Sequence, residues 1–449
     1  MAEKLLKRAF KYRLYPTKKQ RATLQWTLDR ARELYNAALQ ERRDAYTCKV
    51  KRHPGFYDEE TRQHLTKEYA LTYTRQAAEL PEIKQVRPEY EEIYSQVLQD
   101  VLRRVDKAFK AFFRRVKKGQ KPGYPRYKGE GSYHSFTYPQ SGFSLTSDNR
   151  VCLSKIGSIK VKFPIGKKAH PPQGAMKTCT IKREGEHWFV VFTCEVEQEL
   201  VYHPSLEAVG LDLGLLHFAT LSTGEQIANP RHLRRAEERL KKQQQGLARK
   251  KRGSKRRRKA GQQIGKIHHH IRNQRRDFHH KEARKLVMRY GILCFEDLKP
   301  ANMSRRPKPK QDETTGQYLP NGASRKAGLN KSIRDAGWGQ FVRICEGKAE
   351  SAGARVLKVN PKNTSQRCSQ CGVMVPKDLE ERWHSCPSCG AELDRDHNSA
   401  LDILRLGFQA LASPPPAPRK RTRRSRARTE PSEDALLRSP RLSPWGVVT

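Results

Sequence analysis

Val209-Gly210-Leu211-Asp212-Leu213-Gly214 sets one carboxylate inside an apolar run closed by glycine. Leu215 to Leu221 and the turn residues Ser222-Thr223-Gly224 follow, so the run reads as the first strand of a hairpin. An aspartate in a core strand is costly to bury uncompensated and calls for a cation or a strong hydrogen-bond partner. Ile292-Leu293-Cys294-Phe295-Glu296-Asp297-Leu298 is a second apolar run that ends in acid. Leu393-Asp394-Arg395-Asp396-His397-Asn398 opens an apolar helix. Three such segments, far apart in sequence, are what a divalent-metal site assembled by folding requires.

The rest of the chain is strongly basic. It holds 91 Lys+Arg against 47 Asp+Glu, a formal +44 over 449 residues. An excess this large repels itself unless a polyanion is bound, which points to nucleic acid. Anionic membrane is disfavoured, because no basic amphipathic helix shows a clean apolar face. No apolar stretch reaches the roughly 18 residues of a membrane-spanning helix, and the first residues carry no signal-peptide core. Cys48, Cys152, Cys179, Cys194, Cys294 and Cys345 are scattered singly, and four more cysteines sit in two CxxC pairs. That usage suits a reduced cytosol or nucleus and a metal site.

Along the chain, Phe10 to Tyr15 alternates as a short strand, and Thr17 with Gln20 forms a plausible capping box. Leu24, Leu28, Ala31, Tyr35 and Ala38 share one helical face. Residues 54–56 read as a loop, and two more helical stretches run to about 118. After Lys121-Pro122-Gly123-Tyr124-Pro125 the period changes to two. Ser135–Pro139, Phe143–Leu145, Val151–Leu153, Ile159–Phe163, Cys179–Ile181 and Trp188–Cys194 then read as hairpins of a small β-barrel. If strand 10–15 joins it, the helical block is an insertion within it. Residues 231–290 read as two helices broken by Lys250 to Lys259, where eight of ten residues are basic. Residues 301–330 read as a mobile loop, Ser332–Ala352 as a helix and Arg355–Val359 as a strand. Beyond Ser413 the composition predicts disorder. Its run Arg419 to Arg424 suits a non-specific nucleic-acid tail better than a nuclear-localisation signal.

Cys368-Ser369-Gln370-Cys371-Gly372 and Cys386-Pro387-Ser388-Cys389-Gly390 give CxxC-x14-CxxC. Four thiolates close a tetrahedron around one structural Zn²⁺, and His384 is a flanking residue in preference to a ligand. Asp212, Glu296 and Asp396 can hold two Mg²⁺ or Mn²⁺ ions and clamp a phosphodiester. Helix capping by Asp396 and exposure of Glu296 weigh evenly against that, and Asp297, Asp394 and Asp402 are rivals. Tyr124, Tyr127, Tyr133, Phe136 and Tyr138 lie among cations, as rings that stack on bases do. Core packing is the better account of about half of them.

These motifs together resemble the TnpB family, transposon-encoded RNA-guided DNA endonucleases related to type V CRISPR effectors. The likeness runs from about 8 to 408. Lys11-Tyr12-Arg13-Leu14-Tyr15-Pro16-Thr17 looks like the family's opening strand, and Tyr35-Asn36-Ala37-Ala38-Leu39 like its first helix. Pro125-Arg126-Tyr127-Lys128 and Ser135-Phe136-Thr137-Tyr138 resemble the start of its wedge domain. Gly210–Gly214, Phe295–Leu298 and Asp394–Ala400 look like its three RuvC motifs, and Asn363–Cys368 leads into its zinc ribbon. Ser399 and Asp402 depart from its commoner Ala and Asn.

The resemblance implies a multidomain α+β chain. A wedge β-barrel begins with strand 1–16, carries a helical recognition lobe over 17–120 and resumes over 121–205. An RNase H-like (RuvC) nuclease domain follows over 206–364 with a helical insertion and lid loop. A zinc ribbon takes 365–392, the third motif and its helix 393–412, and a basic tail 413–449. Asp212, Glu296 and Asp396 become the catalytic Mg²⁺ ligands, and Cys368, Cys371, Cys386 and Cys389 the Zn²⁺ ligands. Tyr15, Lys128, Phe136, Tyr138, Asn273, Arg276, His280 and Lys281 become nucleic-acid contacts. The implied partners are a guide RNA from the transposon end and a double-stranded DNA target read beside a short motif, with no membrane and a monomer favoured. The implied location is cytoplasmic, near a bacterial or archaeal nucleoid, or nuclear in a eukaryotic relative. The competing reading is a non-cleaving, RNA-guided or zinc-ribbon regulator.

Overall fold

A computed structural model describes residues 4–120, 122–163, 171–198, 202–378 and 380–412. The expected disorder after Ser413 lies outside them. Among the described residues no helix is long and apolar enough to cross a membrane.

β1 (Lys4–Tyr15) is longer than the six-residue strand expected, because it pairs with β7 from Lys4↔Gln198 to Leu14↔Trp188. Pro16 ends it. Thr17 and Gln20 then form the capping box of α1 (Lys18–Asp44), each side chain bonding the other's backbone N–H. Leu24, Leu28, Ala31, Tyr35 and Ala38 are all buried. A π-helical segment (Ala45–Lys51) and a 3₁₀ turn (Pro54–Tyr57) follow, where a loop was expected. The two helical stretches expected next are four: α2 (Glu59–Glu68), α3 (Tyr73–Ala78), α4 (Leu80–Val86) and α5 (Ser95–Lys117). Asp58 and Thr72 start new helices there by capping Thr61 and Arg75.

The chain then returns through β2 (Ser135–Tyr138), β3 (Phe143–Leu145), β4 (Arg150–Leu153), β5 (Gly157–Lys162), β6 (Ala175–Glu184) and β7 (His187–Gln198). These join β1 in one antiparallel sheet ordered β2-β6-β7-β1-β5-β4-β3. Among the described residues no ladder joins β2 to β3, so the sheet is curled and not closed as a barrel. Phe143 of edge strand β3 reaches Phe192 of β7, ring centroids 6.4 Å apart. Leu24, Leu28, Val97 and Val101 of the helices share one core with Phe136, Tyr138 and Phe192. In chain order the helical block is inserted between β1 and β2 of one sheet, and it packs on that sheet.

The second sheet holds β8 (Ala208–Asp212), β9 (His217–Leu221), β10 (Gln226–Ala228), β11 (Ile292–Glu296) and, after a small ribbon of β12 (Lys310–Gln311) and β13 (Tyr318–Leu319), β14 (Arg355–Val359). Its order is β10-β9-β8-β11-β14, with the first three antiparallel and β8, β11 and β14 parallel. α6 (His232–Ala248) and α7 (Lys255–Arg289) separate β10 from β11. The break between them spans 249–254, because Ser254 caps α7 and draws Lys255–Lys259 into it. The expected mobile loop 301–330 instead carries α8 (Pro300–Met303), the ribbon and the start of α9 (Ala323–Ala336). Gly337, at φ 68°, breaks the expected single helix into α9 and α10 (Trp338–Ala352). β15 (Trp383–Ser385), β16 (Glu392–Asp394) and α11 (Arg395–Ala412) complete the chain.

Candidate active site and metal centre

β8 and β11 are parallel neighbours in register, Phe295 opposite Leu211. One step further, Asp212 and Glu296 end their strands side by side. They also share a face. Gly210 and Cys294, two residues earlier on each strand, both meet α11: a Cβ on Gly210 would lie 2.0 Å from Ala400 O, and one on Gly407 would lie 2.3 Å from Cys294 Sγ. Side chains alternate along a strand, so Asp212 and Glu296 point to that α11 side too. Asp396 stands in the first turn of α11. Close packing at two glycine contacts thus brings the third acid to the other two.

The electrostatics agree. Burial pushes the Asp212 carboxyl well up, and the charges of Glu296 and then Asp396 push it further. Burial also raises Glu296, against the Thr364 hydroxyl that donates to Glu296 Oε1. Asp396 Oδ1 lies 3.3 Å from Arg395 Nη2 and 3.9 Å from Arg382 Nη1. Among the described residues, the group of ligating side chains whose donor atoms all fall within 4.8 Å is the four thiols, so the acids form a looser cluster. Burial and two neighbouring acids outweigh the Arg395 charge at Asp212, which favours a bound cation, and the oxygen donors suit a hard one.

The three rivals have other employment. Asp394 caps α11, its Oδ1 accepting from Asp396 N and His397 N at 2.9 and 3.1 Å. Asp402 is buried and bonded to Arg405. Asp297 is exposed, 3.9 Å from Lys299. Arg382, the arginine facing Asp396, also lines a cavity of about 330 Å³ with Arg231, Arg234, Lys331 and Asp335, a hollow of net positive charge.

Both CxxCG turns fold alike. Gly372 and Gly390, at φ 79° and 70°, donate to Cys368 O and Cys386 O at 3.0 and 2.9 Å. Cys368 and Cys389 sulfurs lie 3.6 Å apart, Cys371 and Cys386 sulfurs 3.5 Å. Zinc–sulfur bonds of about 2.3 Å at a tetrahedral angle put sulfurs roughly 3.8 Å apart, close to these values. The backbone N–H of Cys389 holds the Cys386 thiol below its ordinary range, which favours the ligating thiolate, while the neighbouring thiols push Cys389 up. His384 stands outside the four thiols, its Nδ1 against Lys377. Asn398 is a residue that sequence reasoning passed over. Fully buried, it accepts from Ser369 N at 2.9 Å and donates to Arg367 O at 2.7 Å, fastening the first CxxC turn to α11. Its place two residues after Asp396 was the available signal.

The expected nucleic-acid contacts divide. Tyr15 is exposed, with Arg13 over its ring at 5.2 Å. Asn273, Arg276 and Lys281 are exposed along α7 and His280 is half-buried beside them. Lys128 is half-buried, its backbone held by Asn36 and its ammonium 5.6 Å from the Tyr35 ring. Phe136 and Tyr138 are 0% and 1% exposed, inside the curled sheet. They are core residues here and offer no face to a base, which corrects the expectation for both.

Three family models match in chain order: residues 1–51 to one described as a helix-turn-helix domain, 191–306 to "Probable transposase", and 338–403 to "Cas12f1-like, TNB domain". A Streptomyces pristinaespiralis protein, provisionally named an RNA-guided DNA endonuclease, is 32% identical over 97% of this chain and 99% of its own length. The chain belongs to the TnpB family. An Escherichia coli K12 relative of this TnpB protein, provisionally named RNA-guided DNA endonuclease InsQ, is 30% identical over 71% of the chain and 76% of its own. A solved Cas12f1–sgRNA–target DNA complex aligns over 89% of the TnpB chain and 99% of its own at 16% identity, with a TM-score of 0.30. In the segment described as helix-turn-helix, the TnpB chain folds as strand β1, long helix α1 and a π-helical segment.

Proposed function

We propose that this TnpB protein is an RNA-guided DNA endonuclease that hydrolyses phosphodiesters at Asp212, Glu296 and Asp396. The observation that carries this reading is the meeting of Asp212 and Glu296 at the ends of adjacent parallel strands with Asp396 at the start of α11. The relatives' names supply the reaction class. The order β10-β9-β8-β11-β14, three antiparallel strands followed by two parallel ones, supports an RNase H-like nuclease domain. Its expected parts are 206–364 and 393–412, with the zinc ribbon over 365–392 and the wedge and recognition lobe before them.

Asp212, Glu296 and Asp396 would hold Mg²⁺ or Mn²⁺. Such ions, when bound, activate water and stabilise the leaving oxygen. The chain's own contribution is positional. Thr364 orients Glu296, and Asp394 fixes the turn that carries Asp396. Arg382 pairs with Asp396 and faces the basic hollow, where a substrate phosphate would take over the arginine. Cys368, Cys371, Cys386 and Cys389 would hold one structural Zn²⁺ with no position left for substrate.

The guide RNA and the double-stranded target would occupy the basic surface, including the exposed face of α7. Sequencing the RNA that copurifies with the protein, then supplying it with a matching target and Mg²⁺, tests the reading. Cut target DNA, absent when EDTA replaces Mg²⁺, is expected. A bound but uncut target would instead make the protein a non-cleaving regulator.

A further inference from the structure

The helical block holds a cavity of its own, remote in sequence from the acids. About 370 Å³ lie between α1 with its π-helical segment, the α2–α3 connection, α5 and Tyr124. Its wall is aromatic. Tyr124 meets Phe109 and Phe112 edge to face, with centroids 5.7 and 5.2 Å apart. Tyr69 and Phe113 add exposed rings to the lining. Exposed rings around a hollow of this size are the usual surroundings of a bound flat molecule.

The polar end is Arg42 with Asp106. Arg42 is only 9% exposed. Its Nε donates to Gln76 Oε1 at 2.8 Å, and its Nη1 lies 3.5 Å from Asp106 Oδ1. Gln76 is itself tied to Ala38 O and Glu41, so the guanidinium cannot swing away. Arg42 Nη2 is buried with no partner. Burying a donor without a hydrogen-bond acceptor is unfavourable, and Arg42, its guanidinium 5.5 Å from the Phe109 ring, stands in the cavity wall. An apolar occupant would not relieve it.

We propose that this cavity takes one unstacked nucleobase that carries a carbonyl beside a ring N–H: guanine, uracil or thymine. The proposal rests on the nucleic-acid reading above. The base stacks on an exposed ring of the wall, as bases do in single-strand binding. The carbonyl accepts from Arg42 Nη2, and the neighbouring ring N–H donates to the Asp106 carboxylate. Adenine and cytosine present a bare ring nitrogen at that place, which would face the carboxylate with its lone pair. Lys110, 2.7 Å from Asp106 Oδ2 and largely exposed, stands where the base's own phosphate would approach.

The test uses the full-length protein and photo-crosslinking. The probes are single-stranded oligoadenylates carrying one 5-iodouracil, which keeps its carbonyls beside the ring N–H, in an RNA and in a DNA version, with 8-azidoadenine probes as the contrast. Adducts are mapped by peptide mass spectrometry, and total binding is followed by filter retention. Iodouracil adducts are expected in the Phe109–Tyr124 segment. Phe113→Ala and Tyr124→Ala should each cut their yield about fivefold or more, the loss of one stacking contact, while retention changes less than about twofold. Arg42→Met should act in the same way, and the two ring variants do not depend on altering a buried charge. The version that gives the adduct, RNA or DNA, identifies the strand that donates the base. Adducts spread over other basic segments, yields indifferent to the ring variants, or equal azidoadenine adducts at the same peptide overturn the pocket while retention stands. Loss of retention by the unaltered protein overturns the nucleic-acid reading as well.

Discussion

Gly210 decides whether α11 can lie on β8. A methyl group there meets the Ala400 carbonyl at 2.0 Å, a backbone atom that cannot step aside. Gly210→Ala should therefore destabilise the protein by about 1–3 kcal/mol in denaturant unfolding and displace Asp396. Gly261, inside α7, is the contrast: a methyl group there would find nothing within 4 Å. Gly261→Ala should stabilise by up to about 1 kcal/mol in the same measurement. At this scale the sequence was half legible. The three acids could be picked out because Asp212 lies within an apolar run, Glu296 ends one and Asp396 opens an apolar helix. Their rivals could not be dismissed, because Asp394, Asp402 and Asp297 differ from them in partners and not in local sequence. Asp394 takes two backbone N–H groups and Asp402 takes Arg405, contacts that exist only once α11 has formed.

His279 shows how one element depends on pH. It sits fully buried on α7 among Phe218, Phe278 and Phe341, its Nε2 bonded to Ala336 O at 3.0 Å. Burial pulls it down to about 4 from the ordinary 6.5. Between those values the unfolded chain binds the proton and the folded one does not. Stability is then intact above pH 6.5 and falls by about 3 kcal/mol as pH drops to 4. Unfolding midpoints taken across that window should show the fall, and His279→Gln should flatten it. Asn398 joins two elements. Asn398→Ala should speed amide hydrogen exchange across residues 366–372 by loosening the first CxxC turn from α11, with the four thiols intact. Periodicity made β1, α1, β14 and α11 legible, and the Thr17–Gln20 capping box stood in the sequence as it stands in the fold. It could not say which face of Ser135–Tyr138 is inside. That depends on β6 and on the curl of the whole sheet, and so Phe136 and Tyr138 looked available for stacking when they are core.

Across the whole molecule, charge is the organising quantity. Glu184, at the end of β6, is one of few acids among many cations. Lys11 of β1, Lys182 of β6 and Arg272 of α7 stand 2.7, 2.9 and 3.1 Å from it. Burial works against its charge, yet Lys11 and Lys182 hold its carboxyl down to about 2. This cluster ties the curled sheet to the long helix between β10 and β11. With +44 overall, affinity for RNA should fall linearly in log–log form with salt, by a slope of roughly −0.7 for each phosphate contacted. Filter binding between low and physiological salt measures that slope, and a flat response would remove the electrostatic account of the partner. The chemistry of the acid cluster stands most directly on Asp212. The measurement is Mg²⁺-dependent cutting of a guide-matched DNA by Asp212→Ala, with RNA and target binding followed in parallel. Cutting should fall by about a thousandfold or more while both bindings persist. Undiminished cutting by that variant would contradict the assignment of the chemistry to this cluster.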